Sequence, residues 1–182
     1  MESAGTHETG ASAPARPWLR VLRVVGLLGL LAFSLHLLMG GGPPLEPGAP
    51  APPVRGLRRL DGSLGSLALA QGRPLVVNIW ATWCPACVQE LPMLAAAARA
   101  HGDAVGFYGL AIDSSRSQMK QLIERMGVGY DMSEIDGATA HAWNATALPS
   151  TYILDGQGRI HWSVRGAIDR STLEEHLAPL LP

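Results

Sequence analysis

The sequence predicts an α/β domain in which a mixed β-sheet is covered by helices on both faces. Residues 75–80 form a largely apolar run, which is typical of a central strand with two buried faces. Apolar residues recur at helical spacing from Pro85 onward, and strand and helix patterns then alternate up to a hairpin and a last helix. The hydrophobic content of 47% in 182 residues is enough for a substantial core.

The first half of the predicted domain contains a hairpin, two strands and two helices. The hairpin covers residues 57–64 and turns at an Asp-Gly pair. The strand at 75–80 is followed by a helix over about 85–100 and by a second buried strand over 105–112. A capping-box pattern opens the next helix and a glycine ends it, over 115–127.

The second half contains a short helix, a hairpin and a final helix. Asp136 is expected to cap a helix that reaches Trp143. The runs 151–154 and 159–164 flank a Gly-rich turn and form a hairpin. A second capping box, Ser171-Thr172-Leu173-Glu174, is expected to open the C-terminal helix.

Three segments precede the domain, which we place at 54–182. Residues 1–17 are small and polar and predict a disordered tail in the cytoplasm. Residues 18–39 are mainly apolar and predict a single transmembrane signal-anchor helix. Residues 40–53 hold six prolines and four glycines and predict a linker with no folded element.

The arginines predict the orientation of this anchor. Arg20 and Arg23 lie near its start and no further Lys or Arg follows until Arg55, so the positive-inside bias places the domain outside the cytoplasm. A cleaved signal peptide is the alternative, although the candidate sites after Gly42 and Ala51 are each followed by proline. A buried core helix is a third interpretation.

The only two cysteines of the chain lie in the run Trp83-Cys84-Pro85-Ala86-Cys87, at the predicted junction of strand and helix. Cys84 is at the N-cap position and Pro85 is at the first helical position. The helix dipole should lower the pKa of the Cys84 thiol and make it the attacking thiolate. Cys87, one turn further and less exposed, would resolve the mixed disulfide. This arrangement predicts thiol–disulfide exchange that needs no cofactor besides the Cys84–Cys87 disulfide.

The alternatives are that the two cysteines are a redox-inert pair or that they form half of a zinc site. Zinc needs four ligands, but the chain has no second cysteine pair and its histidines show no ligand spacing, so we expect no metal. The net charge of −1 and the absence of a Lys/Arg cluster predict that the protein does not bind nucleic acid.

Two stretches carry a family resemblance. The first is VNIWATWCPAC at 77–87, which closes with Glu90-Leu91-Pro92, and the second is LPSTYILD at 148–155, with a glycine at 158. On these motifs, residues 54–182 resemble the membrane-anchored thioredoxin-like proteins of the TlpA/ResA/CcmG kind. The resemblance implies a thioredoxin-like mixed sheet with an N-terminal hairpin extension. It also implies a bacterial oxidoreductase on the periplasmic side of the inner membrane, and many family members act as reductants in cytochrome c maturation.

The resemblance also implies roles for residues around the cysteines. Pro149 matches the cis-proline of the family, although an ordinary trans proline is the commoner case for a bare sequence. Cytosolic thioredoxins carry a buried aspartate where this chain has Asn78. Glu90 lies three residues after Cys87 on the same helix. We therefore expect Glu90 to accept the proton of Cys87, and a solvated helix glutamate is the alternative.

The client would be bound beside the cysteine pair. We expect Trp83, Pro85, Ala86 and Leu148 to contact it, with backbone groups near Leu148 available to an extended segment. Residues 144–147, NATA, replace the more usual Gly-Val-x-Gly, so the choice of client is left open.

Three functions follow from a reactive cysteine pair. The first is a monomeric reductase that takes electrons from a membrane thiol carrier and reduces protein clients with CxxC or vicinal thiols, such as apocytochrome c or the copper-site thiols of an oxidase. The second is an oxidase that donates disulfides, and the third is a Cu(I) metallochaperone. Reduction potential separates the first two, because thioredoxin lies at about −270 mV and a strong oxidant at about −120 mV.

Overall fold

The structure is a computed structural model that describes residues 18, 25–31 and 45–181. The chain divides into two units, residues 1–40 and residues 41–182. In the first unit, residue 18 and residues 25–31 are helical. Within the described residues, we find no helix with both the length and the apolar character needed to cross a membrane. The predicted tail and much of the predicted anchor, 19–24 and 32–39, lie outside the described residues, as do the first five residues of the predicted linker.

The second unit contains one seven-stranded mixed sheet with the strand order β2-β1-β5-β4-β3-β6-β7. The central strand β3 is parallel to β4 and antiparallel to β6, and the N-terminal hairpin β1-β2 extends the sheet beyond β5. The strands are β1 (Val54–Arg59), β2 (Leu64–Leu67), β3 (Leu75–Trp80), β4 (Gly106–Ala111), β5 (Asp131–Glu134), β6 (Ser150–Leu154) and β7 (Ile160–Arg165). The fold confirms the predicted mixed sheet, the hairpin extension and both central strands.

Four helices cover the two faces of the sheet, as predicted. They are α1 (Pro85–His101), α2 (Arg116–Met126), α3 (Gly137–Ala142) and α4 (Arg170–Leu177), with 3-10 turns at Gly102–Ala104 and Ala178–Leu180. On one face, Val76 and Trp80 of β3 pack in clusters with α1, α2 and α4. On the other face, Val77 and Ile79 pack with α3 and with Trp143, which follows it. Alternation along one fully buried strand therefore builds both halves of the core.

Local signals set most helix ends. The Ser115 hydroxyl accepts from the N–H of Gln118 at 3.3 Å and Gly127 ends α2 in the left-handed conformation, φ 63°, as predicted. The prediction for α4 was wrong at its start. Asp169, rather than Ser171, is the N-cap.

The aspartate caps α4 because its carboxylate Oδ1 accepts from the N–H of Thr172 at 2.8 Å and also receives the Ser171 hydroxyl at 2.7 Å. These hydrogen bonds lower the pKa of Asp169 to about 2. A carboxylate at this position also interacts favourably with the helix dipole, which a serine hydroxyl does not do as strongly.

The sequence did not predict strand β5. It has only four residues, its ends are Asp131 and Glu134, and only its two central residues are buried, so it has neither a clean alternation nor an apolar run. It forms because β4 offers it a parallel pairing and β1 closes its other edge.

Part of the predicted linker is paired with the sheet. The N–H of Gly48 donates to the carbonyl of Ile160 at 2.7 Å, the N–H of Ile160 donates to Ala49 at 2.8 Å, and the N–H of Ala51 donates to Gly158 at 3.0 Å. Strand β7 lies at the edge of the sheet, where backbone groups lack a neighbouring strand. The extended segment supplies hydrogen-bond partners at the start of β7 and just before it. The folded unit therefore begins before the predicted boundary at residue 54.

Candidate active site

The two cysteines form a disulfide at the point where β3 passes into α1, with their Cα atoms 5.3 Å apart. Cys84 is the N-cap residue of α1 and Pro85 occupies the first turn, as the sequence predicted. The N–H of Cys87 donates to Sγ of Cys84 at 3.2 Å. The N–H of Cys87, which has no partner within the helix backbone, and the positive end of the helix dipole therefore both act on the Cys84 sulfur. Both favour a thiolate there.

The two sulfurs differ in access. Cys84 is 6% exposed and Cys87 is 1% exposed. An attacking thiol from outside reaches a disulfide only through its accessible sulfur, so the geometry separates an outer cysteine from an inner one. The expected difference in exposure is confirmed.

A cavity of about 520 Å³ lies beside the outer cysteine. The four residues expected to contact a client all line it, so the fold brings them together: Trp83, Pro85, Ala86 and Leu148. Its other lining residues, besides Cys84, are Ile112, Asp113, Ala145, Thr146 and Ala147. We call this cavity the client groove.

The sequence prediction missed the wall of the client groove that is formed by Ile112 and Asp113. These residues follow β4, which is parallel to β3, and the carboxyl ends of parallel strands meet at one edge of a sheet. That rule was the signal that could have found them. Trp83 is 61% exposed, and its indole Nε1–H donates to the carbonyl of Asp113 at 3.2 Å, which joins the two walls.

The peptide bond between Leu148 and Pro149 is cis, as the family resemblance implied. Pro149 is buried, and the hydroxyl of the next residue, Ser150, donates to the carbonyl of Ala147 at 2.7 Å. This hydrogen bond closes the loop that places Leu148 in the wall of the client groove.

Glu90 lies on α1 one turn after Cys87 and is only 5% exposed, so the alternative of a solvated helix glutamate was wrong. Burial raises the pKa of its carboxyl from 4.5 to about 7, and the Thr151 hydroxyl and the backbone of Ile168 lower it by less. The Thr151 hydroxyl donates to Oε1 at 3.5 Å. The other oxygen, Oε2, is buried and has no hydrogen-bond partner within the described part of the chain.

A second buried polar residue extends this contact. The side-chain amide Nδ2–H of Asn78 donates to Oγ1 of Thr151 at 3.0 Å, across the β3–β6 pair in which the two residues are directly opposite. The sequence prediction gave Thr151 no role. The available signal was Asn78, the one polar residue of an otherwise apolar strand, because a buried polar group needs a partner.

A reactive cysteine pair at the N-terminus of a helix, in a thioredoxin-like sheet and beside a cis-proline, defines the class of thiol–disulfide oxidoreductases. Comparison with known proteins agrees with this class. The chain belongs to the Redoxin family, whose model matches residues 46–177.

Individual relatives agree with the family assignment. The thiol:disulfide interchange protein DsbE of Xylella fastidiosa is 32% identical over 167 residues, which covers 88% of this chain and 83% of that protein. The thioredoxin-like protein YneN of Bacillus subtilis is 28% identical over 167 residues, with coverages of 89% and 97%. A solved structure of a secreted Mycobacterium tuberculosis disulfide oxidoreductase homologous to E. coli DsbE is 25% identical with a TM-score of 0.59, covering 68% of this chain and 94% of that one. These findings confirm the resemblance and the enzyme class.

Proposed function

We propose that this protein reduces disulfides of client proteins outside the cytoplasm, with Cys84 as the attacking and Cys87 as the resolving cysteine. The observation that carries the proposal is the placement of the two sulfurs. The Cys84 sulfur lines the client groove and receives a helix N–H at 3.2 Å, whereas Cys87 is 1% exposed behind it.

The exchange has two steps. The Cys84 thiolate attacks one sulfur of a client disulfide, which forms a Cys84–client disulfide and releases the other client sulfur as a thiolate. Cys87 passes its proton to Glu90 and attacks the Cys84 sulfur, which forms the Cys84–Cys87 disulfide and releases the second client sulfur. The client gains two electrons and this protein loses two.

The charges near the pair favour the reductive direction. A thiol–disulfide protein is a strong oxidant when its reduced form is stabilised. Among the described residues that line the client groove none is basic, and the single charged one is Asp113. This carboxylate disfavours a thiolate nearby, so the helix end is the main stabilising influence. We therefore place the reduction potential near the value of thioredoxin.

The lining of the client groove suggests an extended client segment that carries a disulfide. Trp83, Ala86 and Leu148 offer apolar surface, and the loop before Pro149 offers backbone groups for strand-like pairing. Proteins with a CxxC pair, such as apocytochrome c, and proteins with vicinal copper-site thiols fit this description.

We also propose that residues 18–39 anchor the protein in the bacterial inner membrane and that a membrane thiol carrier re-reduces its disulfide. The apolar sequence supports the anchor, and Val25 and Leu27 in the helical residues 25–31 are 60% and 69% exposed. One of the similar structures is of a secreted protein, which supports an extracytoplasmic location. The protein would act as a monomer with no cofactor besides its own disulfide.

Equilibration with glutathione tests the reductive direction. We expect a reduction potential of about −270 mV, and a value above about −150 mV would overturn the reductase and indicate disulfide donation.

The cellular location of the domain can be tested by thiol labelling before and after lysis, because the chain has only two cysteines. A membrane-impermeant maleimide should label the reduced protein in spheroplasts without lysis, and labelling only after lysis would place the domain in the cytoplasm.

A further inference from the structure

Beneath the cysteine pair, three buried polar side chains form a chain of hydrogen bonds between β3, β6 and α1. Asn78 is 3% exposed, Thr151 is fully buried and Glu90 is 5% exposed. The amide of Asn78 donates to Oγ1 of Thr151 at 3.0 Å, and that hydroxyl donates to Oε1 of Glu90 at 3.5 Å. Nothing in the exchange steps themselves requires Asn78 or Thr151.

The direction of these hydrogen bonds follows from the groups. A hydroxyl has one proton to donate. Because the Asn78 amide occupies an acceptor position of Oγ1, the Thr151 proton is free to point at the carboxylate. An aspartate at position 78 would accept instead, and it would draw the hydroxyl proton away from Glu90. The asparagine therefore sets which way Thr151 points.

We propose that Asn78 and Thr151 are positioning residues for Glu90, in which the amide holds the hydroxyl as a donor to Oε1 and leaves Oε2 to carry the proton taken from Cys87. The inference deepens the proposed function and rests on the role of Glu90 as proton acceptor. It assigns a purpose to the asparagine at a position where a carboxylate would be the simpler base.

The consequence is a defined proton affinity. A hydrogen bond to the ionised carboxylate favours ionisation, whereas burial opposes it. In this protein the two effects act on the same group, with burial the larger, and the pKa of Glu90 is about 7. Loss of the Thr151 hydroxyl would leave burial less opposed and would raise the pKa further.

Few other titratable groups face Glu90. Tyr130 is coupled to it, because the pKa of the Tyr130 hydroxyl is raised by burial and also by the Glu90 charge. Cys87 lies one turn earlier on the same helix. Strands β3 and β6 carry no charged side chain, and the acidic and basic side chains of α2 are exposed. On α4, Glu174 pairs with His101 and Arg170, and His176 stacks on Trp162.

The test follows the two steps of thiol release from 5,5′-dithiobis(2-nitrobenzoate) in stopped flow. Reduced protein should release a first thiolate when Cys84 attacks and a second when Cys87 resolves the adduct. The pH profile of the second phase reports the proton acceptor. Thr151→Val should move the inflection of that profile upward by about one pH unit, which is about a tenfold slower second phase below neutral pH. Asn78→Leu, which removes the amide donor without adding a charge, should move it in the same direction, and Thr151→Ser should restore the wild-type profile.

A second measurement does not depend on activity. In the oxidised protein, a ¹³C NMR titration of the Glu90 side-chain carboxyl should show the same upward shift in Thr151→Val and its reversal in Thr151→Ser. If Thr151→Val melts far below the wild type, the result is judged by whether Thr151→Ser returns the Glu90 titration to the wild-type value.

The outcomes separate the inference from the function on which it rests. If Glu90→Gln alters the second phase but Thr151→Val and Asn78→Leu leave both the profile and the Glu90 titration unchanged, the positioning role is wrong and the role of Glu90 stands. If Glu90→Gln also leaves the second phase unchanged, Glu90 is not the proton acceptor and both fail.

Discussion

Replacing Glu90 with glutamine is expected to change how the stability of the oxidised protein depends on pH. The wild-type carboxyl is 5% exposed, and burial disfavours its charged form, so its pKa rises from 4.5 to about 7 in the folded protein. Between these values the folded state retains a proton that the unfolded chain has released. Folding stability therefore falls as the pH rises through this window and is constant above it. The glutamine variant lacks this dependence.

The size of the effect follows from the same shift. Each pH unit of difference between the folded and unfolded pKa corresponds to about 1.4 kcal/mol. A rise from 4.5 to about 7 therefore corresponds to a loss of about 3 kcal/mol between acid and alkaline pH. For a domain of this size that is about 10 °C in Tm.

Urea unfolding of the oxidised protein between about pH 5 and pH 8 measures this loss, because both cysteines are then bonded and do not titrate. The unfolding free energy of Glu90→Gln minus that of wild type should grow with pH, and all other titrating groups cancel in the difference. Glu175→Gln, at an exposed position on α4, controls for the loss of one negative charge. A Glu90→Gln difference that is equal at both ends of the range would refute the desolvation of this carboxyl.

Three further predictions concern the site and the fold. Cys87→Ser should accumulate a mixed disulfide with a client peptide, seen as an adduct on a non-reducing gel that thiols remove, because the second step is blocked. Leu148→Ala should weaken binding of a disulfide peptide about tenfold by the loss of apolar contact in the client groove. The rate at which Cys84 of this variant attacks a small aromatic disulfide should change little. Gly127→Ala places a side chain at φ 63° and should lower the unfolding free energy by about 1 kcal/mol, as measured in urea.

Two controls accompany these variants. Leu64→Ala removes a leucine that is 64% exposed on β2 and lies outside the client groove, so peptide binding should not change. Gly137→Ala adds a methyl group where no atom lies within 4 Å and φ is not positive, so stability should not fall. Equal effects of the two leucine variants, or of the two glycine variants, would contradict the corresponding prediction.

The elements that the sequence predicted correctly have local causes. The N-cap at Cys84, the proline after it and the left-handed glycine that ends α2 each act within one helical turn. The start of α4 was misplaced because two possible N-caps lie close together in the sequence. Asp169 caps the helix more strongly than the capping box that begins at Ser171.

Strand β5 and the paired part of the linker could not be predicted in this way. Neither has a pattern of its own that favours a strand. Each is held by an edge that another part of the chain provides, β4 for β5 and the start of β7 for residues 48–51. Pairing with a remote edge leaves little trace in the sequence of the segment that pairs.

The order of residues was sufficient to locate the reactive sulfurs and to say which of them is the outer one, since a helix start is encoded by its own few residues. Whether Glu90 holds a proton was decided by folding alone, because its environment comes from a strand 61 residues away, and the asparagine that orients that strand's hydroxyl lies 73 residues from it. The client groove likewise exists only where three separate parts of the chain meet. Proximity of this kind depends on the whole packed chain, and so does the desolvation that makes a glutamate basic enough to take part in the exchange.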